Sequence, residues 1–404
     1  MDSVSFARRA ASLASALPSS PPDGTIAFDS GHAFPGVLPD LSAEADRALG
    51  RYRAETLQYG PRPGLPGLRQ WIAEYLVADG ATVTADEILA VNGAKHGLEL
   101  VCRMLLDEGD SVVVTAPTYF SAIPIIRSFG ASFVEIPQDR WGLEVGQLAE
   151  VLEQSKRDGR PLPKFIYDVP DFHNPTGVTM SSDRRIALVE LAARHRIPLV
   201  EDSPYRKVRF EGSSIPTLKA LGGAGVIQLG SFAKLMAPGL RVGWVAAPTP
   251  LIARMAMLKT DAGSSPLNQR IVLEFCAGGK LPAHTERVQT TYRTNRDRML
   301  AALRRDLPEA TTRVPQGGYY FWLALPEGVD GEAVTREAAA NGVTIIAGNR
   351  FYGNPNAGHA RNRVRLAYSH ATGEEIDEGV RRVARALRTV SEARSVAAGS
   401  AEPA

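Results

Sequence analysis

Short β-rich runs alternate with longer helical patterns through the middle of the chain, and this alternation constrains the fold more than any other sequence feature. The runs are rich in Val and Ile and end at Pro, Asp or Ser: SVVVTAP (111–117), KFIYDVP (164–170), IPLVEDSP (197–204), GVIQLGS (225–231) and RVGWVAAP (241–248). Helical patterns such as residues 182–196 lie between several of them. The pattern predicts an α/β fold, in which a mostly parallel sheet is sandwiched by helices.

The chain is long enough for two domains. At 404 residues it exceeds the size at which a single hydrophobic core usually stops growing. Toward the C-terminus, strands at 317–326 and 363–370 are accompanied by helices at 331–342 and 373–390, which predicts a smaller α+β domain. The expected units are an N-terminal arm with part of the small domain (1–45), the large domain (46–285), the C-terminal small domain (286–390) and a disordered tail (391–404).

Composition and charge disfavour several classes of function. Lys and Arg total 46 against 44 for Asp and Glu, a net charge of +2, so no nucleic-acid partner is expected. No run approaches the roughly 18 apolar residues of a membrane span. Cys102 and Cys276 lie far apart and the histidines show no metal spacing, so a reducing, cytoplasmic compartment without a metal site is expected. Residues 1–24 predict a surface helix or arm rather than a targeting peptide.

Polar side chains follow the ends of three predicted strands. Asn174 follows the first of them, Asp202 and Tyr205 follow the second, and Ser231 and Lys234 follow the third. Ligands of open parallel sheets bind outside the carboxyl ends of the strands, so these side chains are expected to converge on one rim. Each also has a plainer interpretation, because Asp202 could cap a turn and Asn174, which precedes a proline, is a common turn former.

Lys234 stands in surroundings unlike those of a surface lysine. It lies among apolar residues in SFAKLMAPGLRVGW (231–244), close to Arg241. Burial and nearby cations lower the pKa of a lysine from roughly 10.4, which makes it a base near neutrality. At another strand end Gly93 and Ala94 open a helix, where free backbone N–H groups could hold a phosphate, although a tight turn would need the same residues. A phosphate cup, a reactive lysine and a buried acid are what pyridoxal 5'-phosphate (PLP) requires.

Six short motifs, in order along the chain, carry a resemblance to a known family. They are LQYG (57–60), APTY (116–119), HNPTG (173–177), EDSPY (201–205), SFAKLMAPGLRVGW (231–244) and NRVRLAYS (362–369). From about residue 24 to residue 388 the sequence resembles the fold-type I PLP enzymes of the class I/II aminotransferase family, in the 2-aminoadipate/kynurenine aminotransferase-like subgroup. The resemblance implies an enzyme that moves an amino group between an α-amino acid and a 2-oxo acid, as a homodimer with shared active sites.

The resemblance also implies a role for each site residue. It makes Lys234 the Schiff-base lysine and the base that moves a proton, and it pairs Asp202 with the pyridine nitrogen. Asn174 and Tyr205 would hydrogen-bond the phenolic oxygen of the ring, and Tyr119 would stack on the ring face. The remaining assignments are Gly93, Ala94, Lys95, Ser231 and Arg241 at the phosphate, Tyr59 at the phosphate of the neighbouring subunit, Arg365 at the substrate α-carboxylate, and Asn174, Gly31 and His32 also at the substrate.

Several positions depart from the family pattern. Ala94 and Lys95 stand where serine and glutamine are frequent, and Ala233 replaces a second small hydroxyl residue, so two hydroxyl contacts to the phosphate are missing. His32 is unexpected in the N-terminal arm, and 347–348 is Ala–Gly where Pro–Gly is usual. The arm and the loop that carry these last changes are expected to hold the unusual part of the specificity. The sequence therefore leaves the substrate side chain open.

Two alternative functions are compatible with the motifs. The same cofactor and site could support β-elimination, decarboxylation or oxidative deamination in specialised metabolism, and release of ammonia or carbon dioxide would favour these reactions. A non-catalytic ligand-sensing domain, as in some transcription regulators, is less favoured. Those regulators carry a basic winged-helix module ahead of the domain, whereas the family match here begins within about two dozen residues of Met1. Salt-sensitive DNA binding would favour the regulator.

Overall fold

The computed structural model describes residues 5–7, 10, 22–354 and 360–399. Its strands are β1 (Ile26–Ala27), β2 (Ile88–Val91), β3 (Ser111–Ala116), β4 (Ser132–Asp139), β5 (Gly142–Leu143), β6 (Ile166–Asp168), β7 (Leu199–Asp202), β8 (Val226–Ser231), β9 (Gly243–Ala246), β10 (Thr311–Thr312), β11 (Tyr320–Ala324), β12 (Val343–Thr344), β13 (Ile346–Ala347) and β14 (Arg363–Ala367). Its α-helices are α1 (Ser42–Leu49), α2 (Arg53–Thr56), α3 (Pro66–Ala78), α4 (Ala94–Leu105), α5 (Ala122–Ser128), α6 (Val145–Arg157), α7 (Ser182–His195), α8 (Leu218–Gly222), α9 (Thr249–Leu258), α10 (Pro266–Ala277), α11 (Leu281–Asp306), α12 (Gly331–Ala340) and α13 (Gly373–Gly399).

An eight-stranded sheet forms the centre of the fold. Its order is β2-β9-β8-β7-β6-β3-β4-β5. Six strands run in one direction, while β9 and the edge strand β5 run against them. The antiparallel turn from β8 to β9 follows from their short connection, which has no room for a crossover helix. The prediction of a mostly parallel sheet is confirmed.

Helices cover both faces of this sheet, as the side chains of β3 show. Val112, Val113 and Val114 are all fully buried. Val112 and Val114 pack in one apolar cluster with residues of α4, whereas Val113 packs in another with residues of α6 and α7. Successive side chains of a strand point to opposite faces, so the continuous valine run is the signature of a strand that is buried on both sides.

A second, antiparallel sheet lies in the C-terminal part of the chain. Its order is β10-β11-β14-β13, and β11 pairs with β14 so that Trp322 stands opposite Arg365. The N-terminal segment joins this region because β1 pairs in parallel with β12, with Ile26 opposite Val343. Residue 285 lies inside α11, so the division into domains at that point stays a prediction.

The C-terminal helix is longer than the sequence predicts. Where a disordered tail is expected from residue 391, α13 continues to Gly399, because the segment consists largely of Ala, Glu, Arg and other residues that a helix tolerates. Residues 400–404 and most of the arm predicted over 1–24 lie outside the described residues. Within the described part of the chain, no helix combines the length and apolar character that crossing a membrane requires.

Candidate active site

The carboxyl ends of β2, β3, β6, β7 and β8 meet at one edge of the central sheet and border a cavity of about 510 Å³. Every site residue predicted from the sequence, except Tyr59, lines this cavity. Tyr59 is 84% exposed and lies outside it. The side chains that topology predicts to converge therefore do meet in one place.

The Lys234 amine lies in the cavity and has a lowered pKa. Its Nζ donates a hydrogen bond to the carbonyl oxygen of Gly31 at 2.6 Å, and it lies 5.4 Å from the centre of the Tyr319 ring. Burial, followed by the positive charges of Arg365, Lys95 and Arg241 in that order, lowers the pKa of Lys234 to about 8. The amine is therefore available as a nucleophile and as a base near physiological pH.

Asp202 presents an unpaired carboxylate oxygen at the end of β7. Its Oδ2 accepts a hydrogen bond from the phenol of Tyr167 at 2.8 Å, whereas its Oδ1 is buried without a partner. Burial raises the pKa of Asp202 to about 6, against the opposite effect of the Tyr167 hydrogen bond; Glu201 raises this pKa further and Lys95 lowers it. A buried carboxylate with a free oxygen calls for a cationic or N–H partner in the cavity.

Asn174 and Tyr205 place further hydrogen-bonding groups around the cavity. The side-chain oxygen of Asn174 accepts from Arg365 Nη1 at 3.0 Å, while its Nδ2 is buried without an acceptor. The phenol oxygens of Tyr205 and Tyr320 are 3.1 Å apart. The free amide N–H groups of Asn174 and the phenol of Tyr205 can therefore donate to an oxygen atom of a bound group.

Small and cationic residues surround the start of α4. Gly93 has φ of +90°, and a Cβ at this position would lie 2.9 Å from Arg241 Nη2, so glycine admits the close approach of the guanidinium. Burial and Arg241 lower the pKa of Lys95. The Ser231 hydroxyl accepts a hydrogen bond from the Ala233 N–H at 3.1 Å and retains its own proton. A helix N-terminus with two cations and a hydroxyl suits a phosphate group.

Arg365 is fully buried in β14 of the second sheet and lines the same cavity. Besides Asn174, it donates through Nη2 to the carbonyl oxygen of Asp29, and its Nε has no partner. Aromatic rings surround the guanidinium, with ring centres 4.1 Å away for Tyr320 and 5.3 Å away for Phe351. The rings fix the plane of the guanidinium, whose fork geometry matches a carboxylate.

His32 lies at the exposed side of the cavity, next to Gly31. Its ring packs edge-on against His370 at 5.6 Å, and its carbonyl oxygen accepts from the Ser369 hydroxyl at 2.7 Å. Burial, His370 and Lys234 lower the pKa of His32, against a smaller opposite effect of Asp29. The imidazole is therefore neutral at physiological pH, with one ring nitrogen that can donate a hydrogen bond and one that can accept.

Several residues of the site are missing from the sequence predictions, and three of them contact predicted site residues: Tyr320, Asp29 and Tyr167. Tyr320 and Asp29 line the cavity, and Tyr167 anchors Asp202 from the neighbouring strand. Tyr167 lies within a predicted buried strand, and a buried tyrosine hydroxyl needs a hydrogen-bond partner. The sequence could therefore have indicated that Tyr167 contacts a polar site residue. Tyr320 comes from the second sheet, and its approach to the cavity depends on packing between segments far apart in sequence.

The groups of the cavity fit PLP. Asp202 Oδ1 can accept from a protonated pyridine nitrogen, and the unpaired Nδ2 of Asn174 can donate to a phenolic oxygen. Lys234 supplies an amine of lowered pKa. The small, cationic region at the start of α4 supplies donors for a phosphate. The donor and acceptor set therefore matches the chemistry of this cofactor.

Replacing Asp202 by Asn is expected to stabilise the cofactor-free protein by up to about 3 kcal/mol at pH 8. The pKa of Asp202 is raised from 3.8 to about 6, so the folded state binds this proton more tightly than the unfolded state. The free energy of unfolding therefore falls as pH rises between these values, and the full cost is present above pH 6. A shift of about two units corresponds to about 3 kcal/mol.

Thermal unfolding of the cofactor-free variant at pH 8 and at pH 4 measures this effect, and the gain should shrink at pH 4. Asp46→Asn, which changes an exposed carboxylate of α1, is the control and should show a small change without this pH dependence. An Asp202→Asn variant no more stable than the wild type at pH 8 would contradict the expectation.

Comparison with known proteins identifies the family. The family model for aminotransferase class I and II matches residues 27–383. The aromatic-amino-acid aminotransferase 1 of Thermococcus litoralis is 33% identical over 357 residues, which cover 87% of this chain and 84% of the relative. The solved structure of LysN, the α-aminoadipate aminotransferase of Thermus thermophilus in complex with N-(5'-phosphopyridoxyl)-L-leucine, has a TM-score of 0.85 at 34% identity, over 92% of this chain and 94% of that chain.

Similarity also extends to regulators. The HTH-type transcriptional regulator TauR of Rhodobacter capsulatus is 31% identical, but the match covers 80% of this chain and only 65% of the regulator. The aminotransferases match over most of both lengths. The chain belongs to the class I and II aminotransferases, and it is a PLP-dependent enzyme that moves an amino group between an α-amino acid and a 2-oxo acid.

Proposed function

We propose that this transfer takes place in the cavity between β2, β7, β8 and the second sheet, with Lys234 as the reacting amine. The observation that carries the proposal is the pair of unpartnered buried atoms, Asp202 Oδ1 and Asn174 Nδ2, on a cavity that also holds a lysine with pKa of about 8. When bound, PLP supplies a ring that withdraws electrons from the substrate α-carbon. The protein supplies the positions and the proton transfers.

Two sets of residues would hold the cofactor ring and its phosphate. Asp202 would accept from the ring nitrogen, Asn174 and Tyr205 would donate to the phenolic oxygen, and Tyr119 would cover one face of the ring. The phosphate would be held by residues at the start of α4 and near the end of β8: Gly93, Ala94, Lys95, Ser231 and Arg241. Support comes from the free atoms of Asp202 and Asn174 and from the cationic charge beside Gly93.

Lys234 would act as the base that moves the proton at the substrate α-carbon. Its Nζ must first leave the Gly31 carbonyl, to which it donates at 2.6 Å. Buried amines lose their proton more readily than exposed amines, so the lowered pKa keeps a neutral fraction available for this transfer. A bound phosphate would offset the smaller contributions of Lys95 and Arg241 to this lowered pKa, whereas burial, the largest cause, and the charge of Arg365 would remain.

Arg365 would bind the α-carboxylate of the substrate. Its Nη1 is already oriented by Asn174 at 3.0 Å, and its Nη2 donates to the Asp29 carbonyl. An incoming carboxylate replaces that carbonyl with a charged acceptor, which makes a stronger hydrogen bond. The substrate is thereby held with its α-carbon toward Lys234 and its side chain toward the arm that carries Gly31 and His32.

We infer a substrate with a long or aromatic side chain. The relatives are named as aromatic-amino-acid and α-aminoadipate aminotransferases, and Phe120, Tyr119 and Tyr320 line a cavity of about 510 Å³. The test is a single half-reaction of the PLP-loaded enzyme with each amino acid of a panel, without an acceptor. Mass spectrometry should detect one equivalent of pyridoxamine phosphate and of the 2-oxo acid. Ammonia or carbon dioxide would contradict amino transfer.

We also propose a homodimer, in which Tyr59 reaches the phosphate in the partner's cavity. Support comes from its exposure of 84% and from Leu57, exposed on the same segment. Tyr59→Ala should raise the PLP dissociation constant about tenfold or more, because one hydrogen bond to a charged group is lost. Trp141→Ala, which removes another exposed aromatic side chain, should leave PLP binding unchanged.

Heterodimers test the sharing of sites. A Lys234→Ala subunit still carries Tyr59, and a Tyr59→Ala subunit still carries Lys234, so a heterodimer purified on two tags contains one complete site and should reach about half the wild-type activity at limiting PLP. A heterodimer no more active than the Tyr59→Ala homodimer would contradict a shared site, and a monomer in sedimentation would contradict the dimer.

We infer a cytoplasmic location for the enzyme. Cys102 and Cys276 are both free and buried, which suits a reducing compartment. Burial raises the pKa of the Cys102 thiol to about 12, so it stays a protonated, unreactive core group.

A further inference from the structure

The Tyr320 side chain lies between Tyr205 and Arg365 in the cavity. It is 4% exposed at the start of β11 and lines the cavity. Its phenol oxygen is 3.1 Å from that of Tyr205. The centre of its ring is 4.1 Å from the guanidinium carbon of Arg365. One side chain thus contacts both the phenol proposed to face the cofactor and the arginine proposed to bind the carboxylate.

The absence of a side chain at Gly31 makes this position of Tyr320 possible. A Cβ at Gly31 would overlap the Tyr320 hydroxyl oxygen, while its distance to the ring carbon that carries this hydroxyl would be 3.4 Å. The ring alone would therefore remain at the limit of ordinary contact. Glycine at position 31 is required by the hydroxyl of Tyr320 rather than by its ring.

The direction of the hydrogen bond between the two phenols follows from the role of Tyr205. Each phenol has one proton to donate. If Tyr205 uses its proton for the phenolic oxygen of the cofactor, the bond between the phenols must be donated by Tyr320. Donation to the Tyr205 oxygen polarises the Tyr205 O–H group and strengthens the bond that it donates in turn.

We propose that Tyr320 is a positioning residue with two separable parts: its hydroxyl orients and polarises Tyr205, and its ring fixes the plane of the Arg365 guanidinium. This inference rests on the proposed roles of Tyr205 and Arg365. It adds a link between cofactor binding and carboxylate binding, since the hydroxyl and the ring of one tyrosine side chain contact the two residues proposed to carry them.

Removing only the hydroxyl tests the first part. In Tyr320→Phe we expect the midpoint of the pH-dependent visible absorbance of the PLP-loaded enzyme to rise by roughly 0.5 pH unit. This midpoint reports the proton on the nitrogen of Lys234 bonded to the cofactor. Without the Tyr320 hydroxyl, Tyr205 donates a weaker hydrogen bond to the phenolic oxygen. That bond then stabilises the deprotonated form to a smaller extent, so the proton is lost at a higher pH. The PLP dissociation constant of the cofactor-free protein should rise roughly threefold.

Removing the ring tests the second part. Tyr320→Leu should show the same shift in midpoint and, in addition, a KM for the amino acid raised roughly fivefold, because Arg365 loses an aromatic face. Tyr320→Phe keeps the ring and should leave KM within a factor of about two. Equal KM values in the two variants would overturn the role assigned to the ring.

Other charged groups around the pair are unchanged in both variants. They are Arg365, Lys234, Lys95, Arg241, Asp202, Asp29 and His32. Tyr368→Phe is the matched control, because its buried phenol donates only to the backbone carbonyls of Gly317 and Gly318. A midpoint shift in Tyr368→Phe as large as that in Tyr320→Phe would overturn a specific role of Tyr320.

Tyr205→Phe separates failure of this inference from failure of the proposed site. A shift in Tyr205→Phe without one in Tyr320→Phe overturns only the role of Tyr320. No shift in either variant overturns the proposed contact of Tyr205 with the cofactor. A further variant, Gly31→Ala, should raise the midpoint in the wild-type background but add nothing in Tyr320→Phe, because the displaced hydroxyl is already absent. Additive shifts would contradict the contact.

Discussion

Replacing Lys234 by alanine should lower kcat for amino transfer by about 10⁴-fold or more, because the variant loses both the nucleophile and the proton carrier of the reaction. Burial and three neighbouring cations hold the pKa of this amine at about 8. The other lysine that lines the cavity among the described residues is Lys95, whose pKa is also lowered but which lies beside the proposed phosphate position. Steady-state rates at saturating PLP measure the loss, and borohydride reduction followed by peptide mass spectrometry should lose its pyridoxyl label at position 234.

An exposed lysine provides the control for this variant. Lys164 pairs with Asp110 at 3.4 Å on the surface, and Lys164→Ala should keep both the rate and the label. Retention of more than about a hundredth of the activity by Lys234→Ala, or labelling of another lysine in the wild type, would show that a different amine reacts.

Replacing Arg365 by lysine should lower kcat/KM for amino acids by roughly 10²- to 10³-fold, with most of the effect on KM. Lysine keeps the positive charge but lacks the planar fork, so it cannot hold Asn174 and bind a carboxylate through two parallel hydrogen bonds. Its smaller ammonium also leaves buried acceptors unpaired among the aromatic rings. The kinetic comparison is most informative against an amine that lacks the carboxylate, for which Arg365→Lys should cause little loss.

Arg363 is the matched control, because it lies two residues earlier in the same strand and faces the same side of the sheet. It lines a different, open groove with Trp322 and Arg313. Arg363→Lys should change kcat/KM less than about twofold. An equal loss in the two variants, or an equal loss for the amine without a carboxylate, would show that Arg365 does not act by binding the α-carboxylate.

Local sequence patterns predicted β3, β6, β7, β8 and β9 of the central sheet but not β4 or β5. The valine run of β3 has no polar alternation because both faces are covered, and the helical pattern at 182–196 corresponds to α7 (Ser182–His195). The reversed direction of β9 was not predictable in the same way, since only its short connection to β8 distinguishes it from the parallel strands. The extension of α13 to Gly399 was missed because small residues suit both a helix and a tail.

The convergence of Lys234, Asp202 and Asn174 was predictable because parallel strands end at the same edge of a sheet. Tyr320 and Asp29 come from segments whose approach to that edge depends on the packing of the second sheet and the N-terminal arm. The spacing of residues along the sequence does not predict contacts between such distant segments. The roles of the converging residues depend on the family resemblance and stay predictions, which the variants described above test.

The arm contributes peptide oxygens, not side chains, to two of the cations that line the cavity, Lys234 and Arg365. Gly31 and Asp29 satisfy Lys234 and Arg365 through their carbonyl groups, and an amide carbonyl neither gains nor loses a proton across the physiological range. Before a ligand binds, the Lys234 ammonium and the Arg365 guanidinium each donate to a peptide carbonyl oxygen that stays neutral at any physiological pH. A ligand that binds replaces one of these carbonyl acceptors with its own. Its binding free energy at Lys234 or Arg365 therefore reflects the difference in strength between two hydrogen bonds, not the full strength of either.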